Sequence, residues 1–344
     1  MCSKECYALT FSQRFRGVIV SEEYRQPRDV FKLFDGTGFL ASVRRSIRAA
    51  TISVKRVTRI HCLTAHLDRF PNLTELTVDI LYVSGSEQCT YLAVFWALEK
   101  FLGRRTYDNL RTINLKFAGL WPEILLEDLP SVTDEGLIES VEAGDIRFPR
   151  GLRSFGIDVH TSPEYEGQLF LLPAKGSKQL DTLRMNQIAF DKGLTRLASY
   201  DPELSCLENI KSLSIELESE SVDNFLSGSG AVLLVYFSNL EFLSINAVWS
   251  IENVLLALDI PDYLSLKDVD ILSALTDTIA GPCATLADDL DQRLRQGYLP
   301  SLRKFRFHGD IRDFAWVKVA RADIACTVQS SGVGGKRVIE WNTR

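Results

Sequence analysis

The sequence is poor in the residues from which most metal centres and disulfide frameworks are built. It has 4 histidines and 7 cysteines in 344 residues, and no two cysteines form a CxxC pair. A zinc knuckle needs closely spaced ligands and a disulfide framework needs an even set of cysteines, so neither is indicated. We expect most of the cysteines to be reduced and buried as small apolar side chains.

Long apolar runs are also missing. Lys4, Glu5, Arg14 and Arg16 interrupt the first twenty residues, so no signal-peptide core forms there. No later stretch reaches the roughly 18 apolar residues that a membrane span needs. We therefore expect a cytoplasmic or nuclear protein that has no membrane partner.

Motifs for catalysis and cofactor binding are absent or incomplete. The glycine-rich run before Lys336 lacks the first glycine of a phosphate loop and is followed by Arg337 where a hydroxyl is required. The spacing of His61, Cys62 and His66 fits no standard zinc pattern. No G-x-S-x-G sequence frames a nucleophile. We predict no catalytic residues, no metal and no cofactor, and hence no enzyme.

The composition is that of an ordinary folded protein, with 46% hydrophobic and 24% charged residues. It excludes disorder and collagen-like structure. The length suits two or three domains or one elongated repeat array. A net charge of −6 argues against a general nucleic-acid binder, so we expect no nucleic-acid partner.

A short pattern recurs along the chain. An aromatic residue or leucine is followed by a turn, often with an asparagine, and then by L-x-x-L-x-L. Such stretches start at residues 47, 73, 110, 152, 180, 210, 240, 266 and 302, about 32 residues apart, and those at Ile47 and Leu266 match least well. The L-x-L pair predicts a short strand with two side chains on its inner face.

Segments with helical periodicity lie between these strands. They are Ser86–Arg105, Val222–Phe237 and Ile251–Leu258. A strand, a turn and a helix in about 30 residues form a unit that must stack on its neighbours to bury its apolar face.

This pattern resembles the leucine-rich-repeat family, in the irregular form common in fungal F-box/leucine-rich-repeat proteins, over about residues 47–341. The resemblance implies an α/β solenoid, an irregular horseshoe with parallel concave strands, helices on the convex side and a helical N-terminal cap. The family's asparagine or cysteine, eight residues after the first leucine, is replaced here by residues such as Leu81, Ala118 and His160. We therefore expect the loops to close without that asparagine ladder.

The segment Tyr7–Arg16 resembles the last helix of an F-box, which docks on the adaptor of a cullin–RING ubiquitin ligase. This resemblance implies that Leu9, Phe11 and Phe15 contact the adaptor. The alternative is an amphipathic cap that closes the first hydrophobic face of the solenoid.

Three regions are predicted. Residues 1–45 form an F-box-like cap with a linker and capping helix over Gly17–Arg45, and residues 46–310 hold the irregular repeats. Residues 311–344 form a C-terminal cap, helical over Ile311–Val328 with a short strand over Gly335–Trp341.

The resemblance also implies which side chains face a partner, because residues flanking the inward pair point to the concave side. Most of these are small and polar, which suits a broad hydrogen-bonding surface. Asn186 and Gly156 are expected to be exposed in this way. Phe242 is either an exposed anchor or, if the register slips, part of the core. The predicted partner-binding residues are Thr77, Asn114, Arg184, Ser214, Phe242, Ser244, Lys304, Arg306 and His308.

Charges fall in blocks along the chain. Residues 36–67 contain six Lys or Arg and no acid, whereas residues 117–146 contain eight Asp or Glu and no base. Such blocks either steer a charged partner or simply form solvated faces.

The sequence thus predicts a monomeric protein–protein interaction scaffold with a protein partner on its concave face. By resemblance it is the substrate-recognition component of an F-box ubiquitin ligase, with the cullin–RING adaptor bound at the amino terminus. One alternative is a stand-alone repeat protein without ligase docking. A second is an enzyme of an unrelated α/β fold, which a deep pocket with convergent titratable groups would indicate.

Overall fold

The computed structural model describes residues 16–21, 39–54, 64–65, 67–80, 109–117, 139, 148–159, 171–217, 234–247, 266–273, 301–309, 324–330 and 337–343. The chain divides into two compact units. The first comprises Met1–Leu180 and Thr195–Tyr200, and the second comprises Asp181–Leu194 and Asp201–Arg344. Each unit contains parallel β-sheet together with helices, so the fold is α/β.

The described strands of the first unit follow one another across its sheet in chain order. Each strand pairs in parallel with the next one. Helix α1 (Phe39–Ser46) precedes the second strand, and the short helix α2 (Leu172–Gly176) follows the last. The strands are β1 (Gly17–Ser21), β2 (Ala49–Val54), β3 (Glu75–Ile80), β4 (Thr112–Phe117) and β5 (Ser154–Val159).

The second unit begins with the same arrangement. Five strands pair in parallel and in chain order: β6 (Thr182–Asn186), β7 (Ser212–Glu216), β8 (Phe242–Ala247), β9 (Asp268–Ser273) and β10 (Lys304–Gly309). Helix α3 (Gln187–Tyr200) follows β6 directly; its residues up to Leu194 belong to this unit, and Thr195–Tyr200 belong to the first. Two 3-10 turns cover Ser205–Asn209 and Leu234–Tyr236. Two further strands, β11 (Ile324–Ser330) and β12 (Arg337–Thr343), are antiparallel to each other.

The strand register follows the repeat that the sequence predicts. The leading apolar residues of all nine copies are at most 5% exposed, including the weak matches Ile47 and Leu266. The inward residues that follow them are paired with one another, as Ala50 is with Leu76 in the first unit and Val269 is with Leu243 in the second. Repeat positions that are equivalent in the sequence are therefore neighbours in each sheet.

The apolar residue that opens each turn explains how the chain enters a strand. Phe70 and Phe237 are buried, and their carbonyls accept the N–H of Leu73 and Leu240. The buried Leu207 makes the same bond with Ile210. A tight turn thus closes over an apolar side chain, which removes apolar surface from water while satisfying the backbone.

The first sheet begins one strand earlier than predicted. We expected a linker and a capping helix over Gly17–Arg45, but β1 covers Gly17–Ser21, and Val18 and Val20 align with Ala50 and Ile52. The linker prediction is wrong there, because Val18 and Val20 carry the same alternating apolar pattern as the other strands. A helix does occur in the predicted stretch, as α1.

The carboxy-terminal cap also differs from expectation. We expected a helix over Ile311–Val328, but residues 324–328 belong to strand β11, so the prediction is wrong over these residues. Ile324, Cys326 and Val328 alternate with smaller or polar residues, which is the period of a strand. A strand does occur in the predicted terminal stretch, as β12, and it pairs antiparallel with β10.

The helices predicted between repeats lie mostly outside the described residues. Ser86–Arg105 and Ile251–Leu258 are entirely outside them, and of Val222–Phe237 only the 3-10 turn and Phe237 are described. Helix α3 was not predicted, although its buried residues have helical spacing: Ala189, Phe190, Leu194 and Leu197.

Candidate functional site

The candidate site is the face of each sheet that lies opposite the buried side chains. Along β2, β3 and β4, every second residue is buried and the residues between are partly or fully exposed. Because strands are in register, these outward residues form rows that run across the strands.

In the first unit the middle outward row contains two of the predicted site residues. It runs through Ile19, Thr51, Thr77, Asn114 and Gly156. Thr77 and Asn114 are half-buried, and Ile19 is 68% exposed. The row therefore mixes hydroxyl, amide and apolar groups on one accessible strip.

Gly156 is buried although we expected it to be exposed. The side chain of Asn114 lies across it from the neighbouring strand, and a Cβ at residue 156 would overlap Asn114 Oδ1 and stand 3.2 Å from Cγ. The expectation is wrong because the period of a strand tells which face a residue is on, but not whether a neighbour covers it. The glycine leaves room for the Asn114 amide on the face of the sheet.

In the second unit the structure excludes the slipped register that was one alternative for Phe242. Its neighbours Leu243 and Ile245 point inward and are buried, so the register does not slip. Phe242 lies in the first outward row between Ser212 and Asp268, where it is partly exposed. It is an aromatic side chain on an otherwise polar strip.

The next outward row of the second unit holds three more predicted residues. Arg184, Ser214 and Ser244 are aligned on β6, β7 and β8. Arg184 is exposed and Ser214 is half-buried, whereas Ser244 is only 8% exposed and offers little surface. Asn186 was also expected on this face, but it is 3% exposed and its Oδ1 accepts the N–H of Ala189 at 3.2 Å. That expectation is wrong because Asn186 caps helix α3.

Strand β10 carries the remaining predicted residues of this face. Lys304 is half-buried and pairs in register with Asp268. Arg306 is paired with Asp270 on one side and Glu340 on the other, and His308 is paired with Leu272 and Val338. The predicted adaptor-docking residues Leu9, Phe11 and Phe15 lie outside the described residues.

A further row, which we call the edge row, consists of the residue immediately before each strand. Its carbonyl accepts two hydrogen bonds from the start of the next strand, as Arg48 does from the N–H groups of Thr74 at 2.7 Å and Glu75 at 3.0 Å. In the first unit the row is Arg16, Arg48, Thr74, Arg111 and Arg153, and in the second it is Asp181, Lys211, Glu241, Lys267 and Arg303.

Charge is distributed differently in the two edge rows. The first holds four arginines and no acid, whereas the second holds two acids, Asp181 and Glu241, among three bases. In the second, Lys267 Nζ lies 2.9 Å from Glu241 Oε2. The hydrogen bond from Lys267 holds the pKa of the Glu241 carboxyl below its ordinary value, with the charges of Lys267, Lys211 and Arg303 acting in the same direction.

An asparagine ladder is present at a position that we did not predict. The asparagine just before the leading leucine donates its amide to a carbonyl of the preceding repeat: Asn72 to Arg45 at 2.8 Å, Asn239 to Glu208 at 2.9 Å and Asn109 to Pro71 at 3.5 Å. The accepting carbonyl is two residues before the leading apolar position each time. The recurrent asparagine of the turn was the signal in the sequence that points to this role.

The comparisons with known proteins identify no family. No protein-family model matches the chain, and no curated protein matches its sequence significantly. Within the described ranges, no group of three or more His, Cys, Asp or Glu side chains is arranged to hold a metal ion. None of the helices described has the length and apolar character needed to cross a membrane.

Proposed function

We propose that the chain is a protein-binding scaffold of the leucine-rich-repeat type, which acts by binding and not by catalysis. The observation that carries the proposal is the alignment of equivalent repeat positions into outward rows on parallel sheets. Repeat units stacked in chain order present an extended surface, and its outward residues can differ from repeat to repeat while the buried residues keep the repeat pattern. That arrangement suits recognition of another macromolecule rather than enclosure of a small molecule.

The composition of the rows supports a protein as the partner. In the second unit a partly exposed aromatic residue, Phe242, lies among polar groups, with the exposed Arg184 one row away. Aromatic residues and arginine supply most of the binding energy in protein interfaces, and surrounding polar side chains exclude water and add hydrogen bonds. We therefore assign Phe242 and Arg184 as the anchors of the second unit's face.

The test begins with isolation of partners by affinity capture and continues with each purified candidate. The double variant Phe242→Ala and Arg184→Ala is expected to weaken binding by about a hundredfold, since loss of two anchors costs about 3 kcal/mol. The matched control changes two exposed residues away from the strands, Lys178→Ala and Glu203→Ala, and is expected to bind normally. Equal affinities for the wild type and the face variant would contradict the proposal.

A finer proposal is that this scaffold selects substrates for a cullin–RING ubiquitin ligase in the cytoplasm or nucleus. It is supported by the resemblance of Tyr7–Arg16 to an F-box helix. This segment ends where the first sheet begins, because Arg16 accepts the first hydrogen bonds from β2. A docking segment in this position would be connected directly to the repeats.

The adaptor subunit itself is the probe for this finer proposal. We expect the full chain to bind it with a dissociation constant of about 1 μM or tighter. The variant Leu9→Ser with Phe11→Ser should abolish binding and leave the sheets intact. Phe15 is left unchanged because its place before Arg16 corresponds to the leading apolar position of the other repeats. No binding by the wild type would leave a stand-alone scaffold.

A further inference from the structure

The edge row of the first unit is a narrow basic band. Arg16, Arg111 and Arg153 are exposed, and Thr74 occupies the central position. Arg48 is half-buried, and its Nη1 donates a hydrogen bond to the carbonyl of Arg45 at 2.6 Å. Adjacent strands are about 4.8 Å apart, so the band is about 19 Å long from β1 to β5. Its backbone is fixed, because each carbonyl of the row before β5 is held by two N–H groups of the next strand.

The edge row of the second unit shows that the fold does not require a row of positive charges. The same backbone bonds recur there, yet two of the five side chains are acidic and Glu241 forms an ion pair with Lys267. Nothing in the repeat geometry therefore requires four arginines in the first unit. Concentrating four like charges on neighbouring strands is unfavourable for stability, which is consistent with a role in binding.

The surroundings of the band limit what can lie on it. Glu75 lies in the outward row next to it, directly after Thr74, and Asp79 and Asp158 lie four residues further along the sheet face, in a row that also contains Lys116. The arginines of the edge row are thus interrupted at its centre by Thr74 and Glu75, and further carboxylates occur along the sheet face. A broad polyanion such as a nucleic-acid duplex would bring phosphates against those carboxylates, whereas a single extended chain would not.

We infer that the edge row of the first unit binds an extended acidic segment of a protein partner. An extended peptide of six residues spans about 20 Å, which matches the band. Acidic residues at alternate positions of such a peptide place their carboxylates about 7 Å apart on one side of the peptide. Three of these carboxylates therefore reach from the Arg16–Arg48 pair to the Arg111–Arg153 pair. Arginine is suited to this role because its guanidinium donates two parallel hydrogen bonds to a carboxylate.

This inference rests on the proposed function but concerns a different surface. The experiment that tests the proposed function changes Phe242 and Arg184 in the second unit, whereas the present one changes the first unit. If the partner binds through the second unit's face but the chain does not bind acidic peptides, only the inference drawn here is overturned. If the chain binds acidic peptides but Phe242→Ala with Arg184→Ala does not weaken partner binding, only the proposed binding face of the second unit is overturned.

The probe is a fluorescein-labelled peptide of ten residues in which glutamate alternates with serine, compared with one in which glutamine replaces glutamate. Fluorescence anisotropy with the full chain at about 50 mM salt, where exposed charges are weakly screened, measures both affinities. We expect the glutamate peptide to bind and the glutamine peptide to bind at least tenfold more weakly. We also expect affinity to fall as salt is raised.

Two double variants with the same change in net charge locate the site. Arg16→Gln with Arg111→Gln removes exposed charges from the first edge row, and Lys211→Gln with Arg303→Gln removes exposed charges from the second. The first should weaken peptide binding about tenfold, and the second should change it less than twofold. Unchanged melting temperatures will show that both variants are folded.

Three results would overturn the inference. One is equal weakening by both double variants, which would mean that the peptide senses only net charge. Another is an equal affinity for the glutamate and glutamine peptides. The third is tighter binding of a labelled ten-nucleotide single strand that is lost in Arg16→Gln with Arg111→Gln, which would assign the row to nucleic acid.

Discussion

Replacing Gly156 by alanine should change the stability of the first unit with a sign that depends on Asn114. The backbone at Gly156 has no left-handed φ, so an alanine there is not strained by its backbone. An alanine that fits stabilises a protein by about 0.4–1 kcal/mol, because it restricts the unfolded chain. When Asn114 is present, however, the Cβ of an alanine at position 156 would overlap Asn114 Oδ1. Overpacking of this kind costs about 1–3 kcal/mol.

We therefore expect Gly156→Ala to destabilise the wild type by roughly 0.5–2 kcal/mol and to stabilise the Asn114→Ala variant by about 0.4–1 kcal/mol. Urea denaturation of the four proteins of the cycle, with the slope held constant, gives these differences. Gly17→Ala is the matched control, because its Cβ would meet only the carbonyl of Ala49 at 3.8 Å. That control should not respond to Asn114→Ala. A Gly156→Ala change of the same sign and size in both backgrounds would refute the packing of Asn114 over β5.

Three further predictions concern single side chains. Asn72→Ala, which removes the amide donor to Arg45, should cost about 0.5–1.5 kcal/mol of unfolding free energy in urea titrations. Asn186→Ala should cost about 1 kcal/mol and speed amide hydrogen exchange in the first turn of α3, because it removes the cap of that helix. Lys267→Gln should raise the pKa of Glu241 towards its ordinary value in carbon-13 NMR titrations, because it removes the hydrogen bond that lowers it.

The pH dependence of the last prediction has a definite sign. A carboxyl whose pKa is lowered on folding contributes stability above its unfolded pKa and loses it as pH falls through the lowered value. In Lys267→Gln the folded and unfolded pKa values of Glu241 lie closer together, so less stability should be lost over this pH range than in the wild type. An unchanged Glu241 titration would show that the ion pair with Lys267 does not persist in solution. For the asparagine variants, stability equal to the wild type would contradict the two hydrogen bonds.

Much of the sheet could be predicted because the buried positions recur as apolar residues at regular spacing in the sequence. Leading residues such as Leu73 and Leu240 recur with an inward pair three and five residues later, and each is buried where the repeat alignment places it. Even the weak match at Leu266 was informative. Val269, three residues later, pairs in register with Leu243 and Phe305, the equivalent repeat positions of the strands on both sides.

Polar features were harder to predict because one residue type serves several roles. The asparagine of the turn was visible as a recurrent residue, but its bond to the preceding repeat depends on a carbonyl about 30 residues away. The alternating pattern of β6 places Asn186 at an outward position, but its side chain instead caps the helix that starts at the next residue. Gly156 is covered by a side chain from another strand, which no local pattern records.

The positions of the candidate-site residues could be predicted from the sequence, but their surroundings could not. The strand period placed Phe242 outward, and the buried neighbours Leu243 and Ile245 exclude the slipped register. The arginine row of the first unit is scattered over residues 16–153 in the sequence. Only the strand register brings Arg16, Arg48, Arg111 and Arg153 into one line.

The stacking of equivalent repeat positions into rows is the claim on which both proposals depend, and disulfide trapping tests it most directly. Thr77 and Asn114 are partners in the register of β3 and β4, so their Cα atoms should be about 5 Å apart, within the range that a disulfide bridges. Thr77 and Lys116 are offset by two residues and should be about 8 Å apart, which is too far. We predict that mild oxidation of the folded chain links Thr77→Cys to Asn114→Cys and does not link Thr77→Cys to Lys116→Cys, as read by mass spectrometry of the digested protein. Linkage of the offset pair in preference to the aligned pair would contradict the register and both proposals with it.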